Sequence, residues 1–450
     1  MRKITAAALA ATMLLSSLAG CSSASSGSTA ASTSDTASGT AASTATGEAG
    51  GEAATIRFMW WGGQDRADKT NKAMELFMEK NPGIKVETSF FPFDSYAENL
   101  SISATSGNMP DVFQGFVGGN NDLMEANLIE PLDSYIESGL LNVSDISESL
   151  QESAKIDGKT YGAALGCNVK CLVVDPEAYA KAGLTVPEVA YDSWEALGAD
   201  LQKLKDSGLQ YGADDLFVRG DTFAYFLRQR GETQYSATQA QTINFSKQSY
   251  VDYYNMRLDW IDKGLIPPYD VTKESSGPED SQLAKGNAAV RYLYSSQYAQ
   301  ISEAAQKDLK LILLPGPDTD KATDIRPGCH ACMSSQSKNK EAAAKLIDFL
   351  INDVDCNKIL NAERGMPASA KVLAALESGF DKNQLASAQA VALANAHSSP
   401  SDPSPVGDTV EIDNGNNGGL MEDLEQQIIY GQITPEEAYD QIDAAYGPDR

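Results

Sequence analysis

The sequence predicts an α/β protein of two lobes, and three observations support that fold class. The chain has 450 residues, of which about 400 follow a segment rich in Ser, Ala, Thr and Gly. A folded body of that size exceeds what one hydrophobic core usually accommodates, so two lobes are expected. Strand and helix patterns alternate along the first part of the body, and such alternation is typical of an open, largely parallel sheet.

The amino terminus has the three parts of a secretory signal. Arg2 and Lys3 give a positive start, 4–18 forms a short apolar run, and small residues precede Cys21. The sequence Leu-Ala-Gly-Cys over 18–21 resembles the bacterial lipoprotein signal, which implies that Cys21 is acylated and becomes the new amino terminus. The alternative is an ordinary signal in which the cysteine stands by chance. We predict a signal peptide over 1–20.

Residues 21–53 are predicted to form a flexible, lipid-anchored linker. Their only charged side chains are Asp35, Glu48 and Glu52, and the remainder is too poor in large apolar residues to offset the entropy of ordering. No later stretch approaches the ~18 consecutive apolar residues of a membrane helix. The body is therefore expected to lie at the outer face of the cytoplasmic membrane, held only by its lipid.

Charge and composition narrow the partners and the chemistry. The formal net charge is −27, and removing Arg2 and Lys3 with the signal lowers it by two, to −29. An acidic body repels nucleic acid and anionic lipid. The two histidines leave almost no room for a Ser–His triad or a histidine zinc site, and no phosphate-binding loop occurs. We expect a monomer with no catalysis, no cofactor, no metal and no nucleic-acid partner.

The elements of the first lobe follow in order. Residues 55–61 predict a strand that ends at Gly62-Gly63, and apolar residues at helical spacing continue to Lys80, before an Asn81-Pro82-Gly83 stop. Residues 84–90 alternate as the next strand. A helix over 96–105 and a strand over 111–116 follow. Ligands of such sheets bind beyond the carboxyl ends of the strands.

The remaining elements continue the α/β pattern. An acidic run of Asp318, Asp320 and Asp324 lacks the glycine of a calcium loop and is interpreted as a solvated turn. A capping box at Thr434, with proline at the first helical position, predicts a final helix to Tyr446. Extended segments are predicted over 161–174, 309–314 and 328–334, and helices over 192–205, 340–351 and within 221–264.

Several different short motifs follow one another along the body in a characteristic order. They are Phe58-Met59-Trp60-Trp61-Gly62-Gly63, Asn81-Pro82-Gly83, 106–113, 157–162, Ala182-Gly183-Leu184, 285–289, Leu314-Pro315-Gly316 and Arg364-Gly365-Met366-Pro367. In this order they resemble the family 1 extracellular solute-binding proteins of carbohydrate importers, the group that includes maltose-binding protein. The resemblance covers about 55–446. One departure is Asp175, where the family usually has an asparagine after an aromatic residue.

The resemblance implies a two-lobe periplasmic-binding-protein fold, class II-like, with hinge strands and a cleft between the lobes. The implied amino-terminal lobe combines 54–166 with 317–363, and the carboxyl-terminal lobe combines 172–313 with 368–450. The implied hinges lie near 167–171, 314–316 and 364–367. The implied function is a substrate-binding lipoprotein of an ABC importer, which captures a neutral sugar or oligosaccharide and delivers it to the transmembrane permease subunits.

A sugar requires aromatic surfaces for its ring faces and aimed polar groups for its hydroxyls. Trp60 and Trp61 are consecutive on a strand and point to opposite sides, so only one can line the cleft and the other belongs to the core. The positions that match the family's sugar contacts give the candidate site as Trp60, Trp61, Gln64, Asp65, Arg66, Gln114, Phe116, Asn168, Asp221, Phe223, Tyr294, Ser296, Tyr298 and Asn416.

Five cysteines remain after Cys21. The spacing of Cys329 and Cys332 would suggest redox or metal chemistry in a cytosolic chain, whereas outside the cell a structural disulfide or buried thiols are expected. In the family, the strand of this pair and the strand of Cys167 and Cys171 share a lobe. That implies the hypothesis of a disulfide joining one member of each pair.

Three alternatives remain open. In the first, the protein has the same fold but binds another small polar solute, such as a sugar phosphate or a peptide. Only Arg66 is a clear cleft cation, and this favours an uncharged sugar. A surface glycoside hydrolase would need two carboxylates facing each other across the site, and no such pair is apparent. A sensor subunit that presents its bound form to a kinase is the third.

Overall fold

The computed structural model describes residues 54–115, 123–124, 126–275, 277–403, 405, 409–413 and 418–449. The predictions for the signal peptide 1–20, the linker 21–53 with Cys21, Phe116 and Asn416 lie outside these residues. None of the helices within them is long and apolar enough to cross a membrane.

The described chain alternates strands and helices. The strands are β1 (Ala54–Trp61), β2 (Ile84–Phe91), β3 (Val112–Gly115), β4 (Lys155–Ile156), β5 (Lys159–Thr160), β6 (Ala163–Val174), β7 (Val290–Tyr294), β8 (Lys310–Leu313) and β9 (Ile325–Met333). The α-helices are α1 (Gln64–Lys80), α2 (Phe93–Thr105), α3 (Asp133–Glu137), α4 (Glu148–Glu152), α5 (Pro176–Lys181), α6 (Trp194–Asp206), α7 (Ala224–Gln229), α8 (Lys247–Asp262), α9 (Tyr269–Lys273), α10 (Tyr298–Ala305), α11 (Thr319–Ala322), α12 (Lys340–Asn352), α13 (Val354–Leu360), α14 (Ala370–Leu376), α15 (Lys382–Ala396), α16 (Leu420–Ile429) and α17 (Pro435–Tyr446). A π-helical turn, Arg219–Phe223, precedes α7.

The first lobe is built on a sheet with strand order β2-β1-β3-β9-β6. β1 pairs in parallel with β2 and β3, whereas β9 runs antiparallel to β3 and β6. Alternation along β1 buries Ile56, Phe58 and Trp60 completely in one core with Phe77 of α1, while Met59 packs on the other face. The strand–helix–strand unit predicted at the start of the body is confirmed.

β6 connects the two lobes. Its first part, to Val169, pairs with β9 in the first sheet, and its last part, from Lys170, pairs with β7 and β8 in the second lobe. The segment around Met366 crosses beside it, because the backbones of Cys167 and Met366 exchange hydrogen bonds of 2.7 and 3.0 Å. The same crossing segment also lies against β9, where the close contact requires glycine. A Cβ at Gly328 would lie 2.1 Å from the carbonyl oxygen of Arg364.

The return to the first lobe comes later than the expected 314–316. The Tyr225 hydroxyl donates to the Leu314 carbonyl at 2.8 Å, and the Arg228 guanidinium donates to the Ala322 carbonyl at 2.9 Å. These bonds fix 314–322, including α11, on the second lobe beside α7. The chain joins the first sheet only where β9 begins at Ile325. Likewise α14, expected in the second lobe, packs against α12 and α13 of the first.

Asp175, the departure from the family pattern, caps α5. Its Oδ1 accepts hydrogen bonds from the backbone N–H groups of Glu177 and Ala178 at 2.9 and 3.1 Å. Aspartate is as good an N-cap as asparagine, so the fold does not depend on which of the two stands here.

The structure contradicts the disulfide hypothesis. Cys167, Cys171, Cys329 and Cys332 are free and buried, as is Cys356. Burial raises the pKa of the Cys329 thiol to about 11, so this group is poorly suited to redox chemistry. No disulfide forms because each cysteine faces another residue type across its ladder: Pro327 for Cys167, Leu313 for Cys171, Gly166 for Cys329 and Phe113 for Cys332.

Candidate ligand-binding cleft

A buried group of charges lies where β6 crosses between the lobes. Asp324 accepts a hydrogen bond from Lys170 Nζ at 3.0 Å and one from Arg326 Nε at 2.8 Å. Burial alone would raise the pKa of Asp324, but the two cations outweigh it and hold that pKa well below the usual value. Asp324 is therefore ionised, and its interpretation as part of a solvated turn is wrong. Arg326 keeps 43% of its side chain exposed.

A cavity of about 600 Å³ opens beside this group, between the lobes. Lys155 pairs with Glu152 and Arg228 pairs with Asp402, whereas Lys170 and Arg326 share Asp324. The lining residues are Glu152, Ser153, Lys155, Gly158, Pro327 and His330 from the first lobe and Lys170, Ala224, Arg228, Asp324, Arg326, Pro400, Ser401, Asp402 and Pro403 from the crossing strands and the second lobe.

His330 contributes a neutral group to the lining of this cavity. Burial lowers its pKa to about 4, so the imidazole is uncharged at neutral pH. Its Nε2 lies 3.2 Å from the Ser153 hydroxyl. His330, one of the two residues between Cys329 and Cys332, thus lines the cavity, while the flanking thiols belong to the cores on the two faces of the sheet.

The second lobe contributes a carboxylate and phenols. The Tyr294 hydroxyl, at the end of β7, donates to Asp221 Oδ1 at 2.5 Å. Tyr292 lies beside Tyr294, with ring centroids 6.1 Å apart at 67°. Both tyrosines and Asp221 are partly exposed. Asp221 also attracts Lys170 and Arg326 electrostatically, so this wall and the crossing strands form one polar surface.

Asp221 stands on the π-helical turn, and Arg219 anchors that turn from inside the lobe. Arg219 lies 3.2 Å from Asp413 and 3.0 Å from Glu425 of α16. Glu425 also lies 3.0 Å from Arg257, which in turn lies 2.7 Å from Asp215. We call these five residues the buried ion network. The network is shielded from solvent. Its ion pairs hold the Asp221 turn against α16 and the segment that ends at Asp413.

The first lobe contributes the Gly62-Gly63 turn at the carboxyl end of β1. Arg66 folds back over this turn, donates to the Trp61 carbonyl at 2.9 Å and pairs with Glu363. A Cβ at Gly62 would lie 2.3 Å from Arg66 Cδ, so the glycine makes room for the guanidinium. Arg66 is therefore an internal brace of this rim. The expectation that Arg66 is the only clear cleft cation is wrong, because Lys155, Lys170, Arg228 and Arg326 line the larger cavity.

Gln64 and Asp65 occupy the exposed first turn of α1. Gln64 donates to Asp68 at 2.7 Å, and Asp65 pairs with Lys69 at 2.6 Å. Both pairs join residues four apart on the helix, where exposed side chains exchange partners at little cost. The two side chains stand at the end of β1 and remain candidates for sugar contacts.

Asn168 and Ser296 meet at a second, smaller cavity of about 230 Å³ that is also lined by Asn361, Gly365 and Asp381. The Asn168 Oδ1 is buried and accepts no hydrogen bond from the described residues. It is a polar acceptor at the crossing strand, and it remains a candidate contact.

Two first-lobe candidates are not cleft residues. Trp60 is completely buried and stacks on Phe90, with ring centroids 6.2 Å apart. Trp61 points to the opposite side and stays partly exposed, so Trp60 is the member of the pair that belongs to the core. Gln114 is also completely buried, and its Oε1 accepts a hydrogen bond from Arg364 Nε at 2.9 Å.

Two second-lobe candidates are likewise core residues. Phe223 is completely buried and packs on Tyr253, with ring centroids 4.9 Å apart. Tyr298 is buried, and its hydroxyl donates to the Leu309 carbonyl at 2.7 Å. In both cases the side chain points into the core, so neither is available to a ligand in the cleft.

The charged residues of the crossing strands were missed. Lys170 is the one charge in the apolar run of β6, and a lysine in a buried strand needs a partner. That signal was available in the sequence. Its partner Asp324 lies 154 residues away, and only the fold joins the two.

Two lobes joined by crossing strands, with a polar cavity between them, define the class of two-lobe solute-binding proteins. The model of the bacterial extracellular solute-binding protein family matches residues 62–354. The chain belongs to that family and has its two-lobe periplasmic-binding-protein fold.

Individual relatives agree with this assignment. A family 1 extracellular solute-binding protein from Alicyclobacillus acidocaldarius superposes with a TM-score of 0.78 at 26% identity, covering 88% of this chain and 98% of that one. An oligogalacturonide-binding protein from Yersinia enterocolitica gives a TM-score of 0.71 at 23% identity, with 87% and 97% covered, which shows the fold alone. A putative binding protein of Brucella abortus is 23% identical over 280 residues, 61% of this chain and 66% of its own length.

Proposed function

We propose that this protein captures a neutral sugar or oligosaccharide between its lobes and delivers it to the permease of an ABC importer. The observation that carries the proposal is the polar surface of Lys170, Asp324, Arg326, Asp221 and Tyr294, which joins the crossing strands to the second lobe. It offers charged donors and acceptors for hydroxyls, and Tyr294 supplies an aromatic ring on the same surface.

Charge pairing favours an uncharged ligand. Among the described residues that line the larger cavity, the cations Lys155, Lys170, Arg228 and Arg326 each contact a carboxylate, and Lys170 and Arg326 share Asp324. An anionic solute would have to displace one of those carboxylates or bear its repulsion, whereas hydroxyl groups can share the existing bonds. The Yersinia protein, by its name, binds oligogalacturonides, so acidic saccharides form the second ligand class to test.

Binding without catalysis agrees with the state of Asp324, the carboxylate at the centre of the polar surface. A glycosidase needs one carboxyl group that stays protonated to act as an acid. Asp324 is instead held ionised by two cations, and its neighbours leave neither of its oxygens without a hydrogen bond.

The test is a thermal-shift and calorimetric screen of the purified protein against neutral saccharides, galacturonate oligomers, sugar phosphates and peptides. At a concentration near 100 Kd, the correct ligand is expected to add about 2.7 kcal/mol to the free energy of unfolding. A shift with neutral saccharides alone supports the proposal. A shift only with sugar phosphates or peptides overturns it, as does silence with every saccharide.

The anchoring part of the proposal concerns Cys21, and the sequence supports it. Replacing Cys21 by serine is expected to move the protein from the membrane fraction to the medium or periplasm, because the lipid is the only proposed attachment. Mass spectrometry of the amino-terminal peptide should find an acyl mass on the wild-type cysteine, with a Ser22→Ala chain as control. An unmodified cysteine, or an unchanged distribution of C21S, contradicts it.

A further inference from the structure

We infer that Phe93 and Trp61 form an outer subsite of the cleft, so that the ligand is an oligosaccharide whose distal ring stacks there. The inference rests on the proposed function and assigns a new residue, Phe93, to it. Phe93 is the first residue of α2 and is 64% exposed. Its ring contacts Trp61 at a centroid distance of 5.7 Å and an angle of 76°.

The position of Phe93 places it at the edge where ligands bind. β2 ends at Phe91, which pairs with Trp61 in the parallel ladder with β1. Pro92 then turns the chain, and α2 starts at once, so Phe93 stands at the carboxyl end of the sheet. Carboxyl ends of parallel strands form the ligand-binding edge of open α/β sheets.

The place of Phe93 at the ligand-binding edge gives its exposure a significance that the exposure of Ile102 lacks. Among the described large apolar residues, Phe93 is the most exposed, ahead of Ile102 at 57%. A phenyl ring in water forgoes the free energy of burial. The apolar face of a sugar ring would cover it, and Trp61 supplies a second aromatic ring in contact with the first. Aromatic side chains are the usual apolar lining of small-molecule sites.

The distance across the sheet gives the class of ligand. In the order β2-β1-β3-β9-β6, four inter-strand steps separate β2 from the crossing strand β6. At ~4.8 Å per step, the edge is roughly 19 Å long. A ligand that touches both the polar surface near Lys170 and the ring of Phe93 must be a chain of several sugar units, because one ring cannot span that length.

The test measures how affinity depends on chain length. The wild-type protein is titrated by calorimetry with a mono-, di-, tri- and tetrasaccharide of the linkage that gives the largest thermal shift. Affinity is expected to rise with length. Phe93→Ala is expected to lower the affinity for the longest member about tenfold and to leave the shortest member unchanged, while Phe93→Trp keeps the length dependence.

Ile102→Ala is the matched control, since Ile102 is an exposed apolar residue of the same helix, nine positions and about 13.5 Å along its axis from Phe93. It is expected to change no affinity. Equal loss for all lengths in Phe93→Ala, no loss at all, or the same loss in Ile102→Ala overturns the subsite. Binding of a monosaccharide only overturns the subsite and leaves the proposed function intact, whereas no binding of any saccharide by wild type overturns both.

Discussion

Replacing Glu425 by glutamine is expected to lower the free energy of unfolding by about 3–5 kcal/mol. Glu425 is buried and lies 3.0 Å from both Arg219 and Arg257. Burial alone would raise its pKa, but the two arginines outweigh burial and hold that pKa below its usual value. The substitution keeps the shape of the side chain and removes the charge, so two buried guanidinium groups lose a shared anion.

Urea unfolding followed by circular dichroism measures the change. The matched control is Asp423→Asn, since Asp423 is an exposed carboxylate of the same helix. It is expected to change the free energy of unfolding by less than about 1 kcal/mol. If Glu425→Gln is as mild as Asp423→Asn, the buried ion network does not hold the lobe together.

Replacing Asp221 by alanine is expected to weaken saccharide binding about ten- to hundredfold. The carboxylate accepts the Tyr294 hydroxyl at 2.5 Å and faces the cations of the crossing strands. A hydrogen bond to a charged group contributes about 1.5–3 kcal/mol, and each ~1.4 kcal/mol is tenfold in affinity. Calorimetry with the saccharide found in the screen measures the loss.

Tyr294→Phe tests whether Asp221 acts alone or together with Tyr294, because the substitution removes the hydroxyl and keeps the ring. If the two residues act together, the double variant loses less affinity than the two single losses combined. Asp308→Ala, an 89% exposed carboxylate of the same lobe, serves as control and is expected to bind normally. Unchanged affinity in Asp221→Ala would remove this wall from the site.

Most of the fold could be predicted because its determinants are local. Alternation over β1 and β2, the helical spacing of α1 and the capping box at Thr434 all lie within windows of a few residues, and each appears in the structure. The return point near Ile325 could not be predicted. It depends on whether the carbonyls of 314–322 find donors on α7, and those donors come from a different part of the chain.

The site could be predicted only in part, for a similar reason. Motif order indicated which loops to consider, but burial decides which of their side chains can reach a ligand. Tyr294 and Asp221 remained, while Phe223 and Tyr298 turned into the core. Phe93 carried no sequence signal at all, since a phenylalanine after a proline is ordinary, and only its exposure beside Trp61 sets it apart.

Small-angle X-ray scattering with and without the saccharide tests the central claim most directly. A solute held between two hinged halves should draw them together, so the radius of gyration of the wild type is predicted to fall at a ligand concentration near its Kd. At that same concentration Asp221→Ala, whose affinity is lower, is predicted to show a much smaller fall. A saccharide that binds by calorimetry while the wild-type scattering curve remains unchanged would contradict the account.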